Sequence, residues 1–544
     1  MAGTRPLFKV NCEAQMNSSS WKRTLKQEWV VIAAFLLLAI LLRLPSIQQP
    51  FENDSGAIAY HGRLITRGEP LYGTHHPAHH MPGTYYVYAA AFWLLGDSVD
   101  SVKLVLILWV AATIYLIYRL GIVVAGKLIG LIAATFAALL FSSIWLAGTN
   151  SRIESFVSLP QVAAVLSLLY LTQKPNKPWK FVFVGLFSAV TFLFKANYLS
   201  PLILAGIVLF VEQGRRGTEI GGWRMTLARC CWVGIGFIGV MVLILTYFIA
   251  TGLLSRFLTV FTIGLTYTQL RHSTLAGSSY LVLYPLLVLA KNNALILIMA
   301  LAGLVFIVLG KAQNYSTEKQ QVVQNGRLPA ITYIAIWFLL SFVETGVSRV
   351  FLLNYYLVFV PSLTLLAAWF LSKSYHDARR YFRQTRPLLA PALLAASLFF
   401  SLWLSLQLHA DYYYHYYGRY WFGRETYTEF LIAGLPEGAG ATMGAIQELA
   451  DYIDTHTVPS DTIYYWSNLM ELYYVADRRS ATDIIWPVYV EATGSRERLF
   501  DAKYIVLGDT PLGYSEIPAW LSKGLKENYE LETVLHNQLL YRRK

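Results

Sequence analysis

The chain has 544 residues, 56% hydrophobic and only 14% charged, with a formal net charge of +12 and a mean hydropathy of +0.45. A soluble domain carries about 25% charged residues, so a soluble globular protein is excluded and a polytopic membrane protein is implied. The positive excess falls in short loops between apolar segments, the cytoplasmic bias of membrane proteins rather than a nucleic-acid surface. Cys12, Cys230 and Cys231 show neither metal nor disulfide spacing.

Residues 1–27 are polar and basic, with Arg5, Lys9, Lys22, Arg23 and Lys26. The apolar segment after them lacks a small-residue cleavage site, which predicts a cytoplasmic basic tail and an uncleaved first helix. A spanning helix needs about 17–25 mostly apolar residues. On that criterion the predicted spans lie at 28–45, 101–119, 128–148, 153–172, 180–195, 198–213, 228–253, 290–310, 330–347, 351–372 and 387–408, or about eleven transmembrane helices. With the amino terminus inside, the basic stretches 119–127, 174–180, 215–229, 311–327 and 373–386 all fall on the cytoplasmic side.

Residues 82–96 are apolar but short and rich in Tyr. Counting them as a span would invert every later loop, so they are predicted to form a juxtamembrane helix on the outer face. That face then carries the loop 46–100, the corner 149–155, the loop 254–291 and everything after about residue 408. In 411–544 charges become frequent and apolar runs shorten. Strand-like runs at 462–466 and 503–507, with helical patterns at 442–455 and 517–528, predict a small extracytoplasmic α/β domain. The division is therefore a tail (1–27), a transmembrane domain (28–410, with its outer loop 46–100) and a soluble domain (411–544).

The outer loop concentrates the polar chemistry. Asp54 suits a general base, a role worth roughly 10²–10⁴ in rate. With Asn53 and Ser55 it also suits a helix cap, and the residues alone leave both open. His75, His76, His79 and His80 follow. Two of them could share a metal on a helix, but Pro77 and Pro82 favour a loop. Binding of a phosphate or sugar hydroxyls, or a solvated loop, are the alternatives. Glu154, Lys195 and Arg349 sit near outer span ends. Snorkelling accounts for an isolated Lys or Arg there; cations against the inside-positive trend also suit an anionic lipid phosphate. Arg271 and His272, in LTYTQLRHSTL, are weaker candidates of the same kind.

Taken together, these segments resemble the GT-C superfamily of membrane glycosyltransferases, in the protein O-mannosyltransferase and aminoarabinose-transferase branch (glycosyltransferase families 39 and 83). The resemblance rests on Asp54-Ser55, on Leu64-Ile65-Thr66-Arg67-Gly68-Glu69-Pro70-Leu71-Tyr72 and on Met81-Pro82-Gly83-Thr84-Tyr85-Tyr86. It continues through Ser151-Arg152-Ile153-Glu154-Ser155, Phe194-Lys195, and Arg349 with Asn354-Tyr355-Tyr356-Leu357 and Pro361. It covers roughly residues 28–410. Three positions depart from the family pattern: Ser55 stands where a second acid is frequent, Asn354 where His precedes the Tyr pair, and His79-His80-Met81-Pro82 where some members have Lys-Pro-Pro.

The resemblance implies inverting transfer of a sugar from a polyprenyl-phosphate-linked donor to a lipid, glycan or protein acceptor, at the outer face of the plasma (inner) membrane. It implies Asp54 as base or acceptor-orienting group and Glu154 as sugar or acceptor ligand. Lys195 and Arg349, with His80 in the lysine's place, would hold the lipid phosphate; His79, Arg271 and Tyr355 are assigned to the same donor region. No cofactor and no nucleic acid are implied, a divalent metal is left unassigned, and no P-loop is present. The rival readings are a transporter or flippase of lipid-linked sugars and a non-catalytic scaffold. A transporter would place its acids and cations near mid-span, a transferase at the outer surface.

Overall fold

The computed structural model describes residues 18–73, 80–173, 176–215, 222–272, 280–311, 328–347, 352–409, 415–427, 429–430, 439–493, 496–508 and 516–544. It is an α-helical, multi-pass membrane protein with a small carboxyl-terminal sheet domain. Among the described residues, seven helices are long and apolar enough to cross a membrane, and four shorter apolar helices accompany them. Each predicted span falls on a helix: α1 (Ser18–Arg43), α4 (Val99–Ala125), α5 (Lys127–Phe141), α6 (Ile153–Gln173), α7 (Val182–Phe194), α8 (Ser200–Arg215), α9 (Gly222–Ala250), α11 (Tyr280–Val308), α12 (Ala330–Val347), α13 (Val360–Tyr381) and α14 (Leu389–His409). Between α1 and α4 lie α2 (Asn53–Thr66) and α3 (Gly83–Leu95).

Two stretches differ from expectation. The span read at 128–148 ends early, at Phe141, because Arg43 donates to the carbonyls of Phe141 (2.7 Å) and Gly148 (2.5 Å) and stabilises a turn there. Much of the loop read at 254–291 is helical: α10 (Leu254–His272) and the first turns of α11 occupy it. Its Leu254–Leu265 portion is apolar, too short for the span criterion applied to the sequence.

Apolar side chains left on the helix surfaces, among them Leu37, Leu41, Leu108, Ile238 and Leu243, would be costly in water and match lipid. Inside the bundle, α4 packs on α5 and α6, α7 on α9, and α11 on α13. The α7–α9 crossing brings backbones together: a Cβ on Gly185 would strike the Val233 carbonyl, and one on Gly236 the Val182 carbonyl. Small residues at such crossings are the usual device where lipid removes the hydrophobic drive between helices.

The carboxyl-terminal domain carries a five-stranded sheet in the order β2-β1-β3-β5-β4. Strand β1 (Thr462–Trp466) runs parallel to β2 (Arg479–Ser480) and β3 (Tyr504–Leu507). Strands β4 (Tyr529–Leu535) and β5 (Gln538–Arg543) form an antiparallel hairpin. Its turn residues, His536 and Asn537, both have positive φ (47° and 64°), the backbone that a two-residue hairpin with native strand twist requires. The sheet is fully buried at β3 and at β1 beyond Thr462, with the helix Ala439–His456 and the short helix Glu471–Val475 beside it.

Gly236→Leu is expected to overpack the α7–α9 crossing at a cost of about 1–3 kcal/mol, read as a lower apparent melting temperature in detergent. Gly206→Leu, on α8 with nothing within 4 Å of its Cβ position, serves as the control that stays near the parent value.

Candidate functional site

The site is built where helices end. A corner of chain, residues 142–152, joins α5 to α6 and is anchored through its backbone. Arg43 holds the carbonyls of Phe141 and Gly148, Lys103 donates to the Thr149 carbonyl at 3.0 Å, and Tyr88 donates to the Ser151 carbonyl at 2.7 Å. Ala147 takes a left-handed conformation (φ 48°) in this corner. The corner delivers Arg152 just before α6 and Glu154 in its first turn.

Helix α2 starts opposite. Its cap is Glu52, whose side chain accepts from the Ser55 N–H (3.1 Å) and the Ser55 hydroxyl (2.6 Å). The capping alternative for Asn53, Asp54 and Ser55 is therefore set aside. Asn53 instead accepts from the Met470 N–H of the carboxyl-terminal domain at 3.0 Å, and Asp54 lies inside the first turn.

Arg152 joins the two starts. Its guanidinium meets Glu52 (2.9 Å), Asp54 (3.1 Å) and the Asn354 side-chain oxygen (3.3 Å). Asn354, in the 3-10 segment Leu353–Phe359 before α13, donates its amide to Glu154 at 2.5 Å. Glu154 is buried, 2% exposed, and also takes Lys195 (2.8 Å) and the Tyr198 hydroxyl (3.2 Å). The Lys195 ammonium lies 3.5 Å from the centre of the Tyr355 ring, within cation–π range.

The electrostatics follow from this crowding. Burial pushes the Asp54 carboxyl up; Arg152 and Lys195 oppose, but Glu52 and Glu154 add to the rise, and the result lies above the ordinary aspartate value. Burial pulls Glu52 the same way, yet Arg152 and the Ser55 hydrogen bonds hold it below its ordinary value. For Lys195 burial favours the neutral amine, and Glu154 reverses this, keeping the ammonium. His80 is pushed down to about 3 by burial and then by Lys195; its backbone is tied by the Tyr72 hydroxyl donating to its carbonyl at 2.7 Å. Its ring is therefore a neutral hydrogen-bonding group, not a cation.

Of the residues singled out in the sequence, Asp54, Glu154, Lys195 and Tyr355 belong to one connected group, and His80 stands close enough to feel Lys195. His79 and Arg349 lie outside the described residues, and Arg271 is in the last turn of α10 with its side chain outside them. The sequence reading missed Glu52 and Arg152. The signals existed: Glu52 precedes Asp54 by two residues, and Arg152 is an outer-corner cation of the kind already flagged for Lys195. Asn354, read only as a departure, is the link between Arg152 and Glu154. Among the described residues, no cluster of His, Cys, Asp and Glu fits a metal ion.

Known proteins share this architecture. A family model described as dolichyl-phosphate-mannose-protein mannosyltransferase matches residues 75–220, and one for the Ccs4 competence-induced protein C-terminal domain matches 445–544. No curated protein matches the chain by sequence. The crystal structure of ArnT from Cupriavidus metallidurans bound to undecaprenyl phosphate superposes with a TM-score of 0.58 at 15% identity, covering 94% of this chain and 97% of that one. The apo form of ArnT gives 0.59 at 15% identity, covering 95% and 98%. The oligosaccharyltransferase AglB from Archaeoglobus fulgidus, in complex with an inhibitory peptide and a dolichol-phosphate, gives 0.50 at 11%, covering 88% and 69%. The chain thus has an ArnT-like fold.

Lys195→Met is expected to strand Glu154 in a buried position, the kind of loss that costs about 3–5 kcal/mol. Adding Glu154→Gln in the same chain should recover most of the lost melting temperature. A double variant no more stable than Lys195→Met alone would show that the pair is not coupled.

Proposed function

We propose that the protein is an inverting glycosyltransferase that moves a sugar from a polyprenyl-phosphate-linked donor to an acceptor at the extracytoplasmic face of the plasma membrane. The observation that carries this reading is the convergence of Asp54, Arg152, Glu154 and Lys195 at helix ends, beside the carboxyl-terminal domain. A transporter would need such groups near mid-span, whereas these four stand at the ends of α2, α6 and α7. The ArnT-like fold and the mannosyltransferase family match over 75–220 support the same class.

In this reading the acceptor hydroxyl or amine attacks the anomeric carbon from the face opposite the phosphate. Its proton passes to Asp54, whose raised affinity for protons suits a base. The bond between the anomeric carbon and the phosphate oxygen breaks, and its electron pair stays on the departing polyprenyl phosphate. Lys195, kept cationic by Glu154 and steadied by the Tyr355 ring, neutralises that charge as it develops. Glu154 orients Lys195 and, with Asn354, offers the sugar or acceptor a hydrogen-bonding edge. His80 contributes as a neutral donor or acceptor; His79, Arg271 and Arg349 complete the donor-holding group. The basic loops support an amino terminus in the cytoplasm and a carboxyl-terminal domain outside.

The test is transfer from labelled polyprenyl-phosphate sugars in proteoliposomes. Asp54→Asn should lower kcat/KM by about 10²–10⁴, the scale of a lost general base; an Asp54→Asn variant with parental transfer would remove Asp54 from the role. A base works only when ionised, so a carboxyl with a raised pKa moves the rising limb of the pH–rate profile above the ordinary aspartate range. Arg152→Gln removes a group that lowers that pKa and should shift the limb further toward alkaline pH; an unmoved or acid-shifted limb would mean Arg152 does not act on the base.

A further inference from the structure

Glu471 is an acid at the domain junction that the ion pairs leave out. It opens the short helix Glu471–Val475 and is 1% exposed. That helix packs on α2 so closely that a Cβ on Gly56 would collide with the Cα and Cβ of Glu471. Only glycine at position 56 lets the two backbones meet. Among the described residues, neither carboxyl oxygen of Glu471 has a hydrogen-bond partner on another residue.

The charged groups around it explain why this matters. The ionisable neighbours acting on Glu471 are Glu52 and Asp54, both acids, and Arg152 pairs with those two instead. Elsewhere on α2, Arg63 is engaged by Asp97 and Asp477, and the Tyr60 hydroxyl accepts from the Ser480 N–H. On the helix Ala439–His456, Glu448 pairs with His536, Asp451 accepts from Gln447, and Asp454 pairs with Arg478. A buried carboxylate with acids as neighbours and no cation is strongly disfavoured against the neutral acid.

We propose that Glu471 is a positioning residue for Asp54: as the neutral acid it lets the carboxyl-terminal domain seat on the first turn of α2, and as the anion it drives the two apart. The proposal rests on the reading of Asp54 as the base, because seating matters to transfer only through Asp54. Supporting it, burial and then the fields of Glu52 and Asp54 push the Glu471 carboxyl up to about 8 from an unfolded value of 4.5. The folded chain holds this proton more tightly than the unfolded chain. The stability it lends is therefore complete below 4.5 and lost as the pH rises through about 8. Between those two values the seated form should fall about tenfold per pH unit, levelling off above about 8, where both states have lost the proton.

The experiment uses the full chain in nanodiscs, with and without Glu471→Gln. Amide exchange of residues 53–57 and 470–472 is followed from pH 6 to pH 9.5 and corrected for the intrinsic pH dependence of exchange. The wild type should lose about tenfold in protection between pH 6 and pH 7 and level off above about pH 8, and Glu471→Gln should show no such loss. In parallel, the ratio of transfer rates at pH 9 and pH 7 should be several-fold higher in Glu471→Gln than in the wild type. If the variant keeps the loss of protection with rising pH, or the wild type never shows it, the proposal is overturned. It is overturned as well if protection behaves as expected but the rate ratio does not move, since Glu471 then positions nothing that catalysis uses. A wild type without any sugar transfer overturns the glycosyltransferase reading instead, and the exchange measurement still decides whether Glu471 controls seating. Should Glu471→Gln fail to fold, Glu471→Met, apolar and of similar length, carries the same expectations.

Discussion

Arg152 is the side chain on which the site depends. Its planar fork meets Glu52 and Asp54 at once and reaches Asn354, a geometry that a point charge such as Lys could not reproduce. Through Glu52 it steadies the cap of α2. Through Asn354 it is linked to Glu154, and through Glu154 to Lys195. Arg152 and Lys195 thus pair with Glu52, Asp54 and Glu154, while Glu471, the fourth acid, has no cation of its own among the described residues. In a low-dielectric setting such a set cannot be fully ionised. The acids are pushed toward different proton affinities, and separating the roles of neighbouring carboxyl groups in this way is how a site obtains a base at neutral pH.

Arg152 is in turn placed by bonds that ignore the chemistry of the site. Arg43, Lys103 and Tyr88 all donate to backbone carbonyls of the segment 141–151. A carbonyl is the same acceptor whatever side chain its residue carries, so the corner can change in sequence while its path persists. The positive charges of Arg43 and Lys103 would be expensive in the bundle if unpaired, and the carbonyls of an irregular turn are the acceptors available there. The chain shares its fold with ArnT at 15% identity over 94% of its length, so the path of the backbone does not depend on most of the side chains it carries.

Much of this was legible in the sequence, and the reasons for what was not are physical. Apolar length located the helices because lipid forces internal hydrogen bonding on any crossing segment. A short run of β-branched and aromatic residues located β1 at Thr462–Trp466, as expected from the sequence. Asp54, Glu154 and Lys195 stood out as charges against an apolar background. Glu52 did not, because a helix cap three residues before its partner N–H looks like any loop acid until the helix start is known. Nor did the role of Asn354: it was judged against the His expected there, whereas its amide serves as a two-ended bridge, accepting from Arg152 and donating to Glu154. The fragment from Leu254 to His272 was misread as a loop because its polar end masks the apolar Leu254–Leu265 portion.

The carboxyl-terminal domain belongs to this site mechanically. Its contacts with α2, the turn after it and α3 divide into two kinds. Arg67–Asp477 and Arg479–Glu69 are exposed or half-exposed ion pairs, which water and salt screen and which contribute little to holding geometry. Better shielded are the Asn53 bond to the Met470 N–H, the Tyr60 bond to the Ser480 N–H, the stacking of Phe92 on Tyr474, and the backbone approach at Gly56. Asn53 and Gly56 flank Asp54 on the same turn. A shift of the domain large enough to break their contacts must therefore move the backbone that carries Asp54. The ion pairs can exchange partners without consequence, whereas the buried contacts cannot, so the position of the proposed base and the seating of the domain form one equilibrium rather than two.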